Sequence, residues 1–202
     1  MKKVALLFSS GVESSCLTAF YLSEGFLVYP LYVRSGMPWE RWEREYSLRL
    51  WTYFRGKFGR ILPLRTLPAR GISPQGNTIE IPLRNLLLIS SAAVEAFRKG
   101  ILRVGVGSLG IYPFPDTERS YFDSLEELVG RALRIRFRIE TPFLGMEKAQ
   151  VIREFWGSVP FERTFSCIRP VRGVHCGRCA KCLERKEGFV RAGVPDPTRY
   201  LS

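Results

Sequence analysis

The sequence predicts an α/β protein with a doubly wound parallel sheet. Short apolar runs rich in β-branched and aromatic residues alternate with longer stretches of helical period, the pattern of strands covered by helices. The first apolar run passes into a helix through a Ser/Gly turn. The 202 residues are 46% apolar, 13% aromatic and 25% charged, which fits one domain of ordinary size plus a small appendage and excludes disordered, collagenous and low-complexity chains.

Taken in order, Val4 to Phe8 reads as a buried strand and Ser14 to Ser23 as the helix after it. Phe26 to Val33 is a second strand. Trp39 to Phe58 is an amphipathic helix, because Trp42, Tyr46, Leu50, Tyr53 and Phe54 recur at three or four residues. Arg60 to Leu64 predicts a third strand. Thr66 to Glu80 holds two Pro, two Gly and an Asn and reads as a loop long enough to cover a site. Asn85 to Lys99 is a helix of small residues ending at Gly100. Ile101 to Val106 is a fourth strand running into Gly105, Gly107 and Gly110. The loop beyond it, through Tyr112, Pro113, Pro115 and Asp116, lies outside the carboxyl end of a strand, where open α/β sheets bind ligands. Arg134, Arg136 and Arg138 alternate with Ile135, Phe137 and Ile139, which predicts a strand with one buried and one cationic face. Met146 to Trp156 is the last helix. Past Pro160 the period dissolves into a Cys-, Gly- and Arg-rich tail, so residues 1–160 form the α/β domain and residues 161–202 a separate C-terminal segment.

Lys and Arg number 31 against 19 Asp and Glu, a net charge of 31 − 19 = +12. Such a surface attracts polyanions, although solubility alone is a sufficient use for it. Half of the excess lies between residues 163 and 191, with eight basic and two acidic side chains. The N-terminal apolar run stops at Ser9, too short for a signal core or a membrane span, so a cytoplasmic protein without membrane contact is expected. Two Asn, two Gln and one His suit a thermophilic source.

Two motifs carry chemistry. Cys167, Cys176, Cys179 and Cys182 form a Cys-x8-Cys-x2-Cys-x2-Cys cluster. Four soft ligands, two of them on one tight turn that Gly177 permits, suit a structural zinc ion; an iron–sulfur cluster and free thiols are the competing uses. Arg172, Arg178, Lys181 and Arg185 would offset the negative charge of four thiolates. His175 adjoins the cluster and reads as a packing residue, and Cys16 as a small apolar core residue. The second motif is Phe8-Ser9-Ser10-Gly11-Val12-Glu13-Ser14-Ser15 between the first strand and helix. Backbone N–H groups of such a turn and of the helix N-terminus bind phosphate, and its hydroxyls add donors, so it reads as a phosphate cradle; a plain serine-capped turn is the alternative. It lacks the Gly-Lys-Ser/Thr ending of the Walker loop, which disfavours ordinary phosphoryl transfer.

These residues resemble the Ser-Gly-Gly-x-Asp-Ser pyrophosphate loop of the N-type ATP pyrophosphatases, and the rest is similar to one branch, the 7-cyano-7-deazaguanine synthases. The resemblance covers most of the chain. It is carried by Pro82-Leu83-Arg84-Asn85, Tyr112 to Asp116, Thr141-Pro142 with Lys148-Ala149, Thr164-Phe165-Ser166-Cys167, His175-Cys176-Gly177-Arg178-Cys179, Cys182, Arg185, Gly188-Phe189 and Asp196-Pro197-Thr198. Three departures stand out. Ser10 replaces the second glycine and would be strained if that position needs a positive φ. Glu13 replaces aspartate. Arg34-Ser35-Gly36 echoes the family's Gly-Gln-Arg only loosely, and Glu118 stands where the family has arginine.

The resemblance implies a Rossmann-like sheet of the adenine nucleotide alpha hydrolase type, a homodimer, and adenylation chemistry. ATP would activate the carboxylate of 7-carboxy-7-deazaguanine, pyrophosphate would leave, ammonia would give the amide, and a second ATP would drive dehydration to the nitrile. Mg²⁺ and cationic side chains would share the charge of the leaving group. Arg84 is the candidate for phosphate or carboxylate, Lys148 for the transition state, and Asp116 for a ring N–H of the deazapurine acid, each weighed against a surface or turn role. Two other functions stay open: ATP-dependent modification of a tRNA base, which the basic tail would suit, and a non-catalytic nucleotide or RNA binder.

Overall fold

The computed structural model describes residues 1–68, 81–111 and 114–201. Five parallel strands, β1 (Lys3–Leu7), β2 (Leu27–Arg34), β3 (Arg65–Pro68), β4 (Arg103–Gly105) and β5 (Arg138–Glu140), form one sheet in the order β3-β2-β1-β4-β5. Six helices accompany them: α1 (Val12–Ser23), α2 (Glu40–Phe58), α3 (Arg84–Arg98), α4 (Arg119–Leu133), α5 (Lys148–Glu154) and α6 (Ala180–Ala192). The strand order runs outward from β1 in both directions, so the chain switches sides between β1 and β4, and a crevice opens there at the carboxyl ends.

Side chains alternate across β1 as the pleat requires. Val4, Leu6 and Phe8 join α1, α5 and α6 in one buried cluster, with Phe54 of α2. Ala5 and Leu7 face the other cluster, which α3 and α4 cover through Ile89, Ala92, Ala96, Phe122 and Leu125. The small residues of α3 let that helix lie close to the sheet. A third cluster packs the four tail cysteines against Phe165, with Trp39, Trp42, Tyr46 and Tyr200 around them.

The expected third strand is displaced. Ile61 forms a single parallel bridge to Val28, and the continuous ladder begins only at Leu31 opposite Arg65. One extra residue lies between that bridge and the ladder, in a segment that contains Pro63, which has no N–H to give to a ladder. The expected arginine-alternating strand is likewise shortened to Arg138–Glu140, because α4 runs on to Leu133 and Arg134 is its left-handed cap at φ 55°. The N–H groups of Arg134 and Ile135 close the helix on Arg131 and Gly130. The tail also holds a helix, α6, whose buried Cys182, Arg185, Phe189 and Ala192 recur at three or four residues. No described helix is long and apolar enough to cross a membrane.

Candidate active site and metal centre

The crevice is a cavity of ≈ 730 Å³, within the range of small-molecule sites. Its floor is the turn from β1 into α1. Phe8, Ser9, Gly11, Glu13 and Ser14 line it, whereas Ser10, Val12 and Ser15 turn inward and are buried. The hydroxyls therefore divide. Ser15 Oγ donates to Gly11 O at 2.8 Å and Ser10 Oγ to Glu43 O at 3.0 Å, while on the cavity side Ser14 Oγ donates to the same Gly11 carbonyl at 3.2 Å and accepts from Ser9 Oγ at 3.4 Å. The first-turn N–H groups of α1 have no intrahelical acceptor and face the same turn, the arrangement by which helix N-termini can hold anions.

Ser10 sits at φ 61°, the left-handed region its departure from glycine put in question. Two bonds hold it there. Its hydroxyl reaches α2, and its carbonyl accepts from Phe165 N at 2.8 Å, so the cysteine tail is tied directly to the loop. A strained residue so over-determined is common at binding sites. The loop after β4 closes the other side: a Cβ on Gly107 would lie 3.1 Å from the backbone of Glu13 and Ser14, so only glycine lets it approach.

Lys148, the first residue of α5, also lines the cavity. Its Nζ lies 2.9 Å from Glu13 Oε1 and bonds Glu184, which in turn bonds Lys181 at 2.9 Å. Burial would raise the Glu184 carboxyl, but the two lysines overcome it and hold it at about 2. The longer Glu13 thus spends one oxygen on Lys148. Arg84 opens α3 behind Leu83, another left-handed residue at φ 63°. Arg84 Nε is buried and without a hydrogen-bond partner among the described residues. Asp116 lies in a 3-10 turn (Pro115–Thr117) on the same cavity wall, and its carbonyl accepts from Asn85 Nδ2 at 3.1 Å. Glu118 caps α4. Tyr112 and Pro113 lie outside the described residues, as does the segment 69–80 of the expected Thr66–Glu80 loop.

The cavity also gathers residues that no sequence motif announced. Glu43 lines it, with Oε2 accepting from buried Tyr32 Oη at 2.8 Å. Burial raises its carboxyl, and Arg84 opposes the rise. Trp39, Tyr121 and Arg169 line it as well. These side chains come from β2, α2, α4 and the tail, so spacing along the chain carried no sign of their meeting.

Behind Phe165 the four cysteines converge. The sulfurs of Cys167, Cys176, Cys179 and Cys182 lie within 4.8 Å of one another, all buried, and could hold a metal ion. Cys176 and Gly177 make the turn, at φ 76° for the glycine, and Cys179 caps α6. Backbone N–H groups of Arg169 and Cys176 donate to Cys167 Sγ at 3.4 and 3.3 Å, as thiolates require. A bond from Cys182 and these N–H groups lower the Cys167 thiol to about 5 against the opposing effect of burial. His175 is held neutral, near 4, by burial and by Arg185, and its Nε2 accepts from Ser166 N at 3.1 Å, which makes it a packing residue of the cluster. Arg185 is fully buried and ties the tail together: it donates to Thr198 Oγ1 at 2.6 Å, Phe161 O at 2.9 Å and Ser166 Oγ at 3.3 Å, and its charge also acts on the Cys182 thiol.

The sheet order and the turn at its switch point define a doubly wound, Rossmann-like α/β fold. The crystal structure of a 4-thiouridine synthetase–RNA complex with bound ATP matches it with TM-score 0.56 at 14% identity, covering 95% of this chain and 50% of that one. The chain belongs to the family described as queuosine biosynthesis protein QueC, whose sequence model matches residues 70–193. It is similar to the 7-cyano-7-deazaguanine synthases of Syntrophobacter fumaroxidans, at 29% identity over 99% of this chain and 97% of the relative, and of Xylella fastidiosa, at 29% over 100% and 96%.

Proposed function

We propose that the protein converts 7-carboxy-7-deazaguanine and ammonia to 7-cyano-7-deazaguanine by two adenylations. The observation that carries the proposal is that the β1–α1 turn, Lys148 and Arg84 line one cavity at the switch point of the sheet. The first-turn amides of α1, with Ser9 and Ser14, hold the β- and γ-phosphates as a leaving pyrophosphate, and fixed donors of this kind stabilise charge as it develops. Attack by the substrate carboxylate then forms a bond to the α-phosphorus while the bond to the pyrophosphate oxygen breaks. Lys148, steadied by Glu13 and Glu184, meets the negative charge on the transferring group. Arg84 supplies an otherwise unused donor to an anionic oxygen, and Asp116 accepts from a ring N–H. Ammonia then attacks the acyl carbon and AMP departs with one former carboxylate oxygen. Activation of the amide oxygen by a second ATP, followed by loss of AMP, leaves the nitrile.

Two metal ions fit the residues present. Glu13 lines the cavity beside the turn, and Mg²⁺ on a triphosphate asks for only one or two protein carboxylates. Bound there, Mg²⁺ would neutralise phosphate charge. A tetrahedral zinc ion with Zn–S of ~2.3 Å needs sulfurs ~3.8 Å apart, and Cys167 Sγ to Cys179 Sγ is 3.9 Å. Zinc at this cluster is structural, fixing the tail that holds Ser10.

The test is to incubate the pure protein with Mg²⁺, ATP, ammonium and 7-carboxy-7-deazaguanine and to follow products by mass spectrometry. The proposal expects the nitrile together with two AMP and two pyrophosphate per product. Absence of both amide and nitrile would overturn it.

A further inference from the structure

Among the described residues, two buried side-chain polar atoms have no hydrogen-bond partner, Arg84 Nε and Tyr121 Oη, and both residues line the same cavity. Buried hydroxyls are bonded in the large majority of cases, so a phenol left idle at a cavity wall points to a partner that arrives with the ligand. The local structure places it. Tyr121 lies in the first turn of α4, which packs against β5 and against the Pro115–Thr117 turn. That turn in turn packs on α3, where Asn85 beside Arg84 bonds the Asp116 carbonyl. Arg84, Asp116 and Tyr121 are therefore linked by one run of contacts from α4 on β5, through the Pro115–Thr117 turn, to α3 across β4, β1 and β2, and Tyr121 is the member at the β5 end, whereas the phosphate turn follows β1 at the centre of the sheet. Burial and the Asp116 charge both raise the Tyr121 hydroxyl, so at neutral pH it is a donor.

Resting on the function proposed above, we infer that Tyr121 is a substrate-binding residue whose phenol donates to an acceptor oxygen of the heteroaromatic acid, beside Arg84. The acceptor is a carboxylate or ring carbonyl oxygen. Phosphate oxygens share this chemistry, and the location on the β5 side favours the acid over the nucleotide.

Tyr121→Phe removes the hydroxyl and keeps the ring. Because the hydroxyl bonds nothing among the described residues, the variant should melt at the wild-type temperature or slightly above. Its KM for 7-carboxy-7-deazaguanine should rise about tenfold, the worth of one buried hydrogen bond, with kcat and the KM for ATP within about twofold. An unchanged KM for the acid would overturn the inference, since water or nothing would then occupy the hydroxyl. A rise in the KM for ATP alone would assign the hydroxyl to the nucleotide and overturn it too. A melting temperature lowered by more than about 5 °C would reveal a structural bond and count equally against it. Calorimetric titration of the wild type with the acid separates the two levels: if the wild type neither binds nor turns over the acid, the proposed function fails and the inference falls with it. If the wild type does both and the variant matches it, only the inference fails.

Discussion

Replacing Lys148 by methionine keeps the length and apolar stem of the side chain and removes its charge. In the wild type that charge joins Glu13 and Glu184 in a row completed by Lys181, and the Lys148 side chain is only 12% exposed. A Glu184 carboxyl held near 2 rather than 4.5 corresponds to about 3 kcal/mol of stabilisation at ~1.4 kcal/mol per pH unit. Lys148 and Lys181 share this, and the carboxylate is 27% exposed, so the part due to Lys148 is about 1–2 kcal/mol after allowance for screening. The loss of the Glu13 pair adds to it, giving an expected destabilisation of about 2 kcal/mol at pH 7, below the ~3–5 kcal/mol seen when a fully buried pair is broken. Catalysis should suffer more. If Lys148 meets charge on the transferring group, single-turnover pyrophosphate release should slow about 10²–10³-fold. Urea denaturation and rapid-quench measurements read the two effects separately. A loss of stability below about 0.5 kcal/mol together with release within about threefold of wild type would refute the reasoning, because both numbers come from the same buried charge.

The acid limb of stability should show Glu184. A carboxyl lowered in the folded state contributes fully above the unfolded value of 4.5 and loses that contribution as pH falls through about 2. Wild-type stability should therefore drop across this window and Glu184→Gln should flatten the drop; parallel profiles would exclude the assignment. Cys179→Ser should abolish the stoichiometric metal, read by elemental analysis, and should raise the KM for ATP several-fold, because Phe165 N–H would no longer fix Ser10 O. An unaltered KM with the metal gone would show that the tail does not hold the loop. Gly107→Ala puts a methyl 3.1 Å from the backbone of Glu13 and Ser14, and overpacking of this kind costs about 1–3 kcal/mol. Melting and ATP titration should both report it, and a variant that binds ATP normally would contradict the close approach.

The sheet, the β1–α1 turn and the cysteine cluster were legible because each is local. A buried apolar run followed by Ser/Gly and a helical period fixes β1 and α1, and two Cys-x2-Cys steps fix one tight turn and the start of α6. Even the tension at Ser10 could be read, since it follows from a side chain at a position that needs φ of 61°. The errors arose where a local pattern competed with a neighbour. The alternation at Arg134–Ile139 imitates a strand, but α4 claims Arg134 as its cap. Pro63 shifts the third strand by breaking its ladder. The charged composition of α6 hid a helix whose buried stripe itself includes Arg185. Glu43, Tyr32 and Tyr121 were out of reach for a different reason: they converge on the cavity from separate elements. Nor does a run of serines tell that Ser10 and Ser15 turn inward while Ser9 and Ser14 line the cavity.

Oxygen transfer tests the adenylation most directly. When 7-carboxy-7-deazaguanine carrying heavy oxygen in its carboxylate is turned over with ATP and ammonium, each AMP released should hold one heavy atom, and the pyrophosphate none. Unlabelled AMP, or label in inorganic phosphate beside ADP, would mean that the acid never attacks the α-phosphorus, and the account of this site would be wrong.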